Sequence, residues 1–429
     1  MRSRNRRRRT AFCLSAALAA GSAAAGPGPL PPEPEPLGHL AICSAHGAGH
    51  FRLPGTDTCL SVRGAIRLDN SVFSATGTWT ALSGQSVGTA SRSASAYGFE
   101  TRPYLYLDAR TPTEFGLLRA YVDVYADLVN ADAPAPGIDN AFVTLAGLTV
   151  GRTQSFFDFL DAAPGETDQF INAGYSDQTT NVAAYTARLG GGFSVTLSAE
   201  DNLARSLGVV DGTGRIDVGG GRLPDLVGVL RLVRPWGKAR LSGALHEVNT
   251  VESGRAFGFA MRGGAVVGLP VGRATRFGVQ VAFGRGATSY VYTNATGGLF
   301  LDPTDPSTVI VTAVDGVASG GGIGLVDAFA IAAGVQTSLA RTVTASLNVG
   351  YTRIDAPDLD VGGVPRDGDF ANLGLEALLG WTPVRGLFVG LDAQYQFVDL
   401  ATRTFVGSPV ALPDEPELLT VFVRIERDF

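Results

Sequence analysis

The stretch LLRAYVDVYADL at residues 117–128 shows most clearly the residue pattern that runs through this chain. Apolar residues occupy every second position from Leu118 to Leu128, and arginine, tyrosine and aspartate occupy the positions between them. Residues 60–69, LSVRGAIRLD, repeat the pattern, with leucine, valine and isoleucine on one side and serine, arginine and aspartate on the other. A two-residue period is typical of a β-strand with one apolar and one polar face.

Similar segments recur along most of the chain, and we place sixteen of them. The predicted strands are residues 59–69, 99–110, 115–128, 139–145, 148–152, 179–188, 192–200, 225–234, 238–248, 256–268, 273–284, 326–338, 341–353, 370–381, 384–398 and 418–429.

The connections between these segments alternate between long and short. Short turns such as 146–148 and 190–191 separate long connections such as 153–178, 201–224 and 285–325. A soluble sandwich has no reason to keep its long loops at one end, whereas an outer-membrane barrel has periplasmic turns and external loops. The pattern therefore favours a barrel over the alternative, a soluble secreted β protein.

The bilayer environment requires that the predicted sheet be closed. Lipid satisfies no backbone N–H or C=O group, so a sheet in the membrane must close on itself. An even number of strands with apolar outward faces describes such a closed sheet. We therefore predict an all-β fold, a transmembrane antiparallel β-barrel of about sixteen strands over residues 59–429, with a water-filled lumen.

Composition excludes several other classes of protein. The chain has 429 residues, 45% of them hydrophobic and 17% charged, and after residue 25 no apolar run is long enough for a membrane helix. Its 56 glycines show no three-residue period, which excludes collagen. The formal net charge of −6 argues against a nucleic-acid partner.

The first residues predict export. An arginine-rich start, a short apolar stretch and small residues before Gly26 together indicate a signal peptide over residues 1–25. Residues 26–58 then form a proline-rich spacer and a periplasmic N-terminal segment. Cleavage removes six of the 34 basic residues and none of the 40 acidic ones, leaving 28 − 40 = −12.

Two cysteines remain after this cleavage. Cys43 and Cys59 lie sixteen positions apart in a chain that we expect in an oxidising compartment. A disulfide between them is therefore predicted. Two unlinked thiols are the alternative.

Four segments resemble the outer-membrane porins of the alphaproteobacterial type. They are CSAHGAGHFRLPGTDTCLSVRG at 43–64, DARTPTEFGLLRAYVD at 108–123, AFVTLAGLTVGRTQSFFDF at 141–159 and VRIERDF at 423–429. The resemblance implies a sixteen-stranded homotrimer in the outer membrane, in contact with lipid and lipopolysaccharide, that passes ions and small hydrophilic solutes. The terminal Phe429 resembles the aromatic signal that the barrel assembly machinery recognises.

Residues 153–178 form the predicted constriction of this pore. The segment begins with TQSFFDF, and the resemblance implies that it folds into the barrel; packing of its aromatic residues on the rim is the alternative. We predict a transverse field and a weak to moderate cation preference, because loop acids near the axis should outweigh wall arginines. The predicted wall arginines are Arg63, Arg67 and Arg119, and the predicted loop acids are Asp158, Asp161, Glu166 and Asp168.

Enzyme chemistry finds little support in the sequence. The chain has only four histidines; His46 and His50 are four residues apart, but the glycines between them indicate polar loop residues rather than a metal pair. We interpret Gly320–Gly324 as flexible loop because it lacks the lysine of a nucleotide-binding loop. We predict no cofactor and no catalytic site. A structural or adhesive barrel plugged by its loops, above all by residues 285–325, is the alternative function.

Overall fold

A computed structural model gives the fold of the protein. It describes residues 42–43, 46–47, 49–76, 97–130, 133–159, 174, 176–211, 216–292, 299–302, 305–311, 313–319, 321–361, 364–366, 368–400 and 417–429. Sixteen long strands, labelled β1 to β16 in chain order, form the main sheet. They are Cys59–Thr76, Tyr97–Thr113, Gly116–Val129, Ala135–Leu145, Leu148–Gln154, Thr179–Gly190, Phe193–Glu200, Asp225–Arg234, Gly237–Asn249, Arg255–Leu269, Thr275–Arg285, Asp327–Ser338, Val343–Asp355, Phe370–Val384, Leu387–Leu400 and Glu417–Asp428.

The sheet closes into a barrel. Each strand pairs antiparallel with the next one along the chain, and β1 pairs antiparallel with β16, from Ala65 opposite Asp428 to Thr76 opposite Glu417. Because no long strand is left with an unpaired edge, the backbone hydrogen bonds are satisfied within the sheet. The predicted sixteen-stranded transmembrane barrel is therefore confirmed, and each predicted segment corresponds to one strand.

The outward face of the barrel is apolar. On β16, Leu419, Val421, Val423 and Ile425 are exposed on the outside, while Thr420, Phe422 and Arg424 are buried on the inside. A ring of outward aliphatic side chains is the surface that hydrocarbon requires. Within the described ranges, no helix has the length and apolar character needed to cross a membrane.

Short turns lie at one end of the barrel and long connections at the other. Residues 146–147 and 191–192 join neighbouring strands directly, and Gly192 at the second turn has φ +79°. A Cβ on Gly192 would lie 2.1 Å from the carbonyl oxygen of Val233, so this turn requires glycine. Two of the breaks between predicted strands are misplaced. The break between 99–110 and 115–128 is shorter, because β2 continues to Thr113. The break between 370–381 and 384–398 lies later, because β14 continues through Thr382–Pro383 with an irregular register and its turn is Arg385–Gly386.

The segment before β1 is attached to the barrel in two ways. Cys43 and Cys59 form the predicted disulfide. A short strand, His50–Arg52, also pairs with the first residues of β1. Beside it, the backbone of Phe429 exchanges two hydrogen bonds with Gly64, and the Phe429 ring occupies the space where a Cβ of Gly64 would be.

Part of the long connections is ordered into small sheets. Val209–Val210, Ile216–Asp217, Gly316–Ser319 and Gly322–Leu325 form one four-stranded sheet. The interpretation of Gly320–Gly324 as flexible loop is therefore wrong for Gly322 onward, because this part pairs with Gly316–Ser319.

Candidate pore

The loop between β5 and β6 enters the barrel. Its Phe157 is fully buried in a cluster with the inward side chains of Val227 on β8, Ala244 on β9 and Ala260 on β10. Phe159 packs on Val266, and its ring takes the space that a Cβ of Gly264 would need. These aromatic residues therefore pack on the inner wall, and the predicted folding of the loop into the lumen is confirmed.

The same loop reaches the far wall before it returns. The backbone N–H of Gly174 donates a hydrogen bond of 2.8 Å to the hydroxyl of Thr352 on β13. A Cβ on Gly174 would lie 2.4 Å from the carbonyl oxygen of Ile331 on β12. Since β13 lies eight strands from β5 in a ring of sixteen, the loop contacts the wall opposite its origin.

Asp158 anchors this loop in the interior of the protein. Its side chain is completely buried, and it accepts hydrogen bonds from Gln154, Ser176, the backbone N–H of Gln178 and Arg205, the last at 2.8 Å. Burial opposes the charge of Arg205, but the Asp158 carboxylate outweighs this effect and raises the pKa of the guanidinium. The predicted role of Asp158 as an acid of the pore constriction is wrong, because its carboxylate is completely buried and the buried Arg205 neutralises it.

Two further buried groups hold the loops to the wall. Arg262 on β10 donates to the hydroxyl of Ser176 at 2.9 Å and to the carbonyl oxygen of Tyr290 at 2.8 Å. The Tyr290 hydroxyl donates to Asp225 at 2.7 Å, and Asp225 lies 2.8 Å from a ring nitrogen of His246. Burial, followed by the charge of Asp225, raises the pKa of the Tyr290 phenol well above its ordinary value, so it remains a donor.

The loops also share an apolar core with the wall. Val210, Val291, Val314, Val317 and Val326 come from the connections 201–224 and 286–326. They pack on small or aliphatic inward residues of β11, β12 and β13, which are Ala282, Ala328, Ala330 and Ile354. We call the inner face of β8–β13, together with the loops packed on it, the filled side of the barrel.

The opposite inner face, on β1–β4 and β16, is the open side. Arg67 pairs with Glu426 at 2.8 Å, and Arg119 pairs at 2.9 Å with Asp108. Asp108 also pairs with a second arginine, Arg110, at 2.7 Å. Arg63 points inward between them, and no described carboxylate lies within ion-pair distance of it.

The predicted site residues therefore separate into three groups. Arg63, Arg67 and Arg119 share the open side, whereas Asp158 is part of the filled side. Asp161, Glu166 and Asp168 lie outside the described residues.

Comparisons with known proteins agree with this architecture. A family profile described as "Porin subfamily" matches residues 28–412. The chain belongs to this porin subfamily. With its closed barrel and apolar outer surface, this porin is a protein of the bacterial outer membrane.

Individual relatives and structures agree with this assignment. The porin is 30% identical to Porin Omp2b of Brucella suis biovar 1 over 217 residues, which cover 46% of this chain and 54% of that protein. It is 29% identical to Porin Omp2b of Brucella abortus strain 2308 over 217 residues, again 46% of this chain and 54% of the relative. The matched region thus spans about half the length of these curated relatives.

Solved structures share the fold at low sequence identity. The outer membrane channel DcaP of Acinetobacter baumannii superposes with a TM-score of 0.66 at 15% identity, over 88% of this porin and 99% of that chain. OmpF of Salmonella typhi, solved with daunomycin, superposes with a TM-score of 0.52 at 11% identity, over 87% and 98%. Both likenesses show the barrel fold.

Most of the groups that organise this lumen could not be found from the sequence. Arg205, Arg262, Asp225 and Tyr290 lie in loops or at single strand positions, and no spacing connects them in the sequence. One feature of the sequence did point to the lining of the lumen. The inward tyrosines Tyr121 and Tyr125 stand in the alternating stretch 117–128, and they turn out to belong to the open side of the porin.

Proposed function

We propose that this porin passes ions and small hydrophilic solutes by passive diffusion along the open side of its barrel. The observation that carries the proposal is the contrast between the two inner faces. Loops cover the filled side, whereas the inward arginines, tyrosines and aspartates of β1–β4 form a polar wall that is partly accessible. A polar wall in a wide barrel retains water and so supports diffusion rather than catalysis.

The narrowest part of this path is proposed to lie between the loop after β5 and the arginines of the open side. Arg67 has a carboxylate partner in Glu426, and Arg119 shares Asp108 with Arg110, so ion pairing neutralises most of the positive charge of these three arginines. Any loop acids that face the path would then dominate the local charge and favour cations. Asp161, Glu166 and Asp168 are the residues proposed for this role.

Single-channel recording in a planar bilayer tests both statements. We expect stepwise ion conductance and, across a KCl gradient, a reversal potential with the sign of cation preference. The triple variant Asp161→Asn, Glu166→Gln, Asp168→Asn should reduce this preference, while Glu114→Gln, in an exposed turn at the opposite end, should leave it unchanged. Anion preference in the parent protein would contradict the proposed constriction.

A structural or adhesive barrel with a plugged lumen is the second candidate. The packed core between the long connections and β11–β13 favours it, because these loops occupy interior space that a wide channel would leave to water. The bilayer recording separates the two candidates. Folded protein that inserts without conducting would favour the plugged barrel.

The proposed assembly is a homotrimer. β5 has seven residues, which rise about 24 Å along the strand and about 18 Å across a bilayer once tilted. The apolar band of such barrels is about 25 Å tall, so this wall is too low to face lipid alone. Cross-linking in outer membranes should therefore yield a trimer, and a monomer only would contradict it.

Other partners follow from the outer surface and the family. Lipid and lipopolysaccharide are proposed to contact the outward aliphatic residues. The barrel assembly machinery is proposed to bind the last strand, β16, with Phe429 as its signal. Substitution of Phe429 by alanine should lower the amount of assembled protein in the outer membrane.

A further inference from the structure

The open side carries a column of aromatic side chains along the pore. Tyr104 and Tyr106 on β2 lie with ring centroids 5.7 Å apart in a stacked arrangement, and Tyr125 on β3 lies 5.9 Å from Tyr104. Closer to the short turns, Tyr121 lies 5.4 Å from Phe142 on β4. All five rings are half-buried, so part of each is accessible from the lumen.

Arginines mark both ends of this column. Arg119 lies over the ring of Tyr121 at 4.8 Å, and Arg102 lies over the ring of Tyr125 at 4.7 Å. The rings run from the level of Tyr104, opposite Tyr125, to the level of Asp108, opposite Tyr121, so the column covers four residues of β2, or about 14 Å. The column is therefore long enough to contact neighbouring units of an extended solute at once.

Arginines and carboxylates lie side by side along the inner face of the open side. The inward guanidinium groups are those of Arg63, Arg67, Arg102, Arg110, Arg119 and Arg424. The inward carboxylates include Asp69, Glu100, Asp108, Asp123, Asp127 and Glu426. Because most of these groups are paired, the column attracts neither sign of ion strongly, yet it offers hydrogen-bond donors and acceptors at every level.

Several hydroxyl groups on the column have bonding capacity to spare. The Tyr104 hydroxyl accepts a hydrogen bond from Arg102 at 3.3 Å. The hydroxyls of Tyr106, Tyr121 and Tyr125 make no hydrogen bond to any residue in the described part of the chain. Groups that can donate and accept, placed beside aromatic rings, suit a solute that has apolar faces and hydroxyl edges.

We propose that this column is a binding track for neutral carbohydrate chains. A pyranose ring presents C–H groups on its face and hydroxyl groups around its rim, which match the aromatic rings and the flanking arginine–carboxylate pairs. An unbranched oligosaccharide could contact successive rings from Tyr125 to Phe142 as it moves along the wall. The inference rests on the proposed diffusion function and adds a substrate class to it.

Current block by maltotetraose in the bilayer tests this track. We expect the sugar to reduce the ion current in a saturable manner, with resolved binding events. Polyethylene glycol of similar size, which lacks sugar rings, should reduce the current without saturation. Conductance without saturable sugar block would overturn the track and leave the diffusion function intact, whereas absence of conductance would overturn the diffusion function itself.

Variants of the column identify the residues responsible. Tyr121→Ala and Tyr106→Ala should each raise the half-blocking maltotetraose concentration about tenfold, if each ring supplies a stacking contact of ordinary strength. Tyr185→Ala, which removes an outward tyrosine from β6, should leave it unchanged. Heat-modified mobility on gels, measured for each variant, checks that the barrel has folded.

A comparison of current block by maltotetraose and by sodium benzoate identifies the class of ligand that the column prefers. Sodium benzoate offers a flat ring and a carboxylate that Arg63 could pair with. Block by benzoate at lower concentration than maltotetraose, and its loss in Arg63→Ala, would replace the carbohydrate by an aromatic anion. An equal effect of all three tyrosine substitutions would also overturn the track.

Discussion

The filled side and the open side are built from the same kind of strand but have opposite interiors. On the filled side, many inward positions are small, such as Ala244 and Ala260, and loops cover them. The polar inward residues there, such as Arg262, are fully buried against the loops. On the open side, large polar inward residues such as Arg67 and Tyr121 remain partly accessible. The accessibility of a large polar inward residue thus depends on whether a loop or the solute path lies against it.

The largest expected difference concerns one arginine from each side. Arg205→Ala should lower the free energy of unfolding by about 3 to 5 kcal/mol, because it leaves the buried Asp158 carboxylate without its cation. Arg67→Ala on the open side should cost about 1 kcal/mol or less, since water reaches its pair with Glu426. Guanidinium-induced unfolding in detergent measures both values.

The same pair of variants has a second readout. Release of the anchored loop by Arg205→Ala should increase fluctuations of the single-channel current, which Arg67→Ala should not do. Equal destabilisation by the two substitutions would show that the two sides do not differ in the way described.

A smaller difference is expected for the removal of a single hydroxyl group. Tyr290→Phe should destabilise the protein by about 1.5 to 3 kcal/mol, because the Tyr290 hydroxyl donates to the buried Asp225 carboxylate. Tyr121→Phe on the open side should change stability by about 0.5 kcal/mol at most, since its hydroxyl contacts no described partner. Unfolding midpoints of the two variants, measured under the same conditions, test this difference in stability. A larger loss of stability for Tyr121→Phe than for Tyr290→Phe would contradict the distinction between the two sides.

The smallest expected effect is electrostatic and confined to the open side. Asp108→Asn removes the carboxylate that Arg110 and Arg119 share, and so adds one net positive charge to the wall. The reversal potential in a KCl gradient should shift toward anions at 0.1 M salt. At 1 M salt the shift should be much smaller, because screening shortens to about 3 Å.

A matched control for that measurement lies outside the barrel. Asp57→Asn changes the same charge in the exposed segment before β1 and should leave the reversal potential unchanged. An equal shift in both variants would indicate a surface-charge effect instead of an effect of the open side.

The strands could be predicted from the sequence because membrane burial imposes a local rule. In residues 117–128 every outward position is apolar, and the period alone indicates the strand. The rule is weaker on β12, where Asp327–Ser338 carries apolar residues on both faces because loops replace water inside. On this strand the alternation is therefore a weaker guide than it is in residues 117–128.

The contacts within the lumen could not be predicted in the same way. Asp158 is a loop acid, and a loop acid is ordinarily solvated, but its partner Arg205 follows 47 residues later and approaches only when both loops turn inward. The open side was partly foreseen, because Arg63, Arg67 and Arg119 could be placed on polar strand faces by counting alone. The carboxylate partners of Arg67 and Arg119 depend on register, which a single sequence does not reveal.

The pairing of β1 with β16 has a consequence for folding. Arg67 and Glu426 meet across this seam although 359 positions separate them in the chain. Contacts at such sequence separation form slowly, because the intervening chain must first give up most of its conformational entropy. Until that step, two long strand edges stay open to pairing with other chains. Pairing of β1 with β16 is therefore the folding step that converts an aggregation-prone intermediate into a stable barrel.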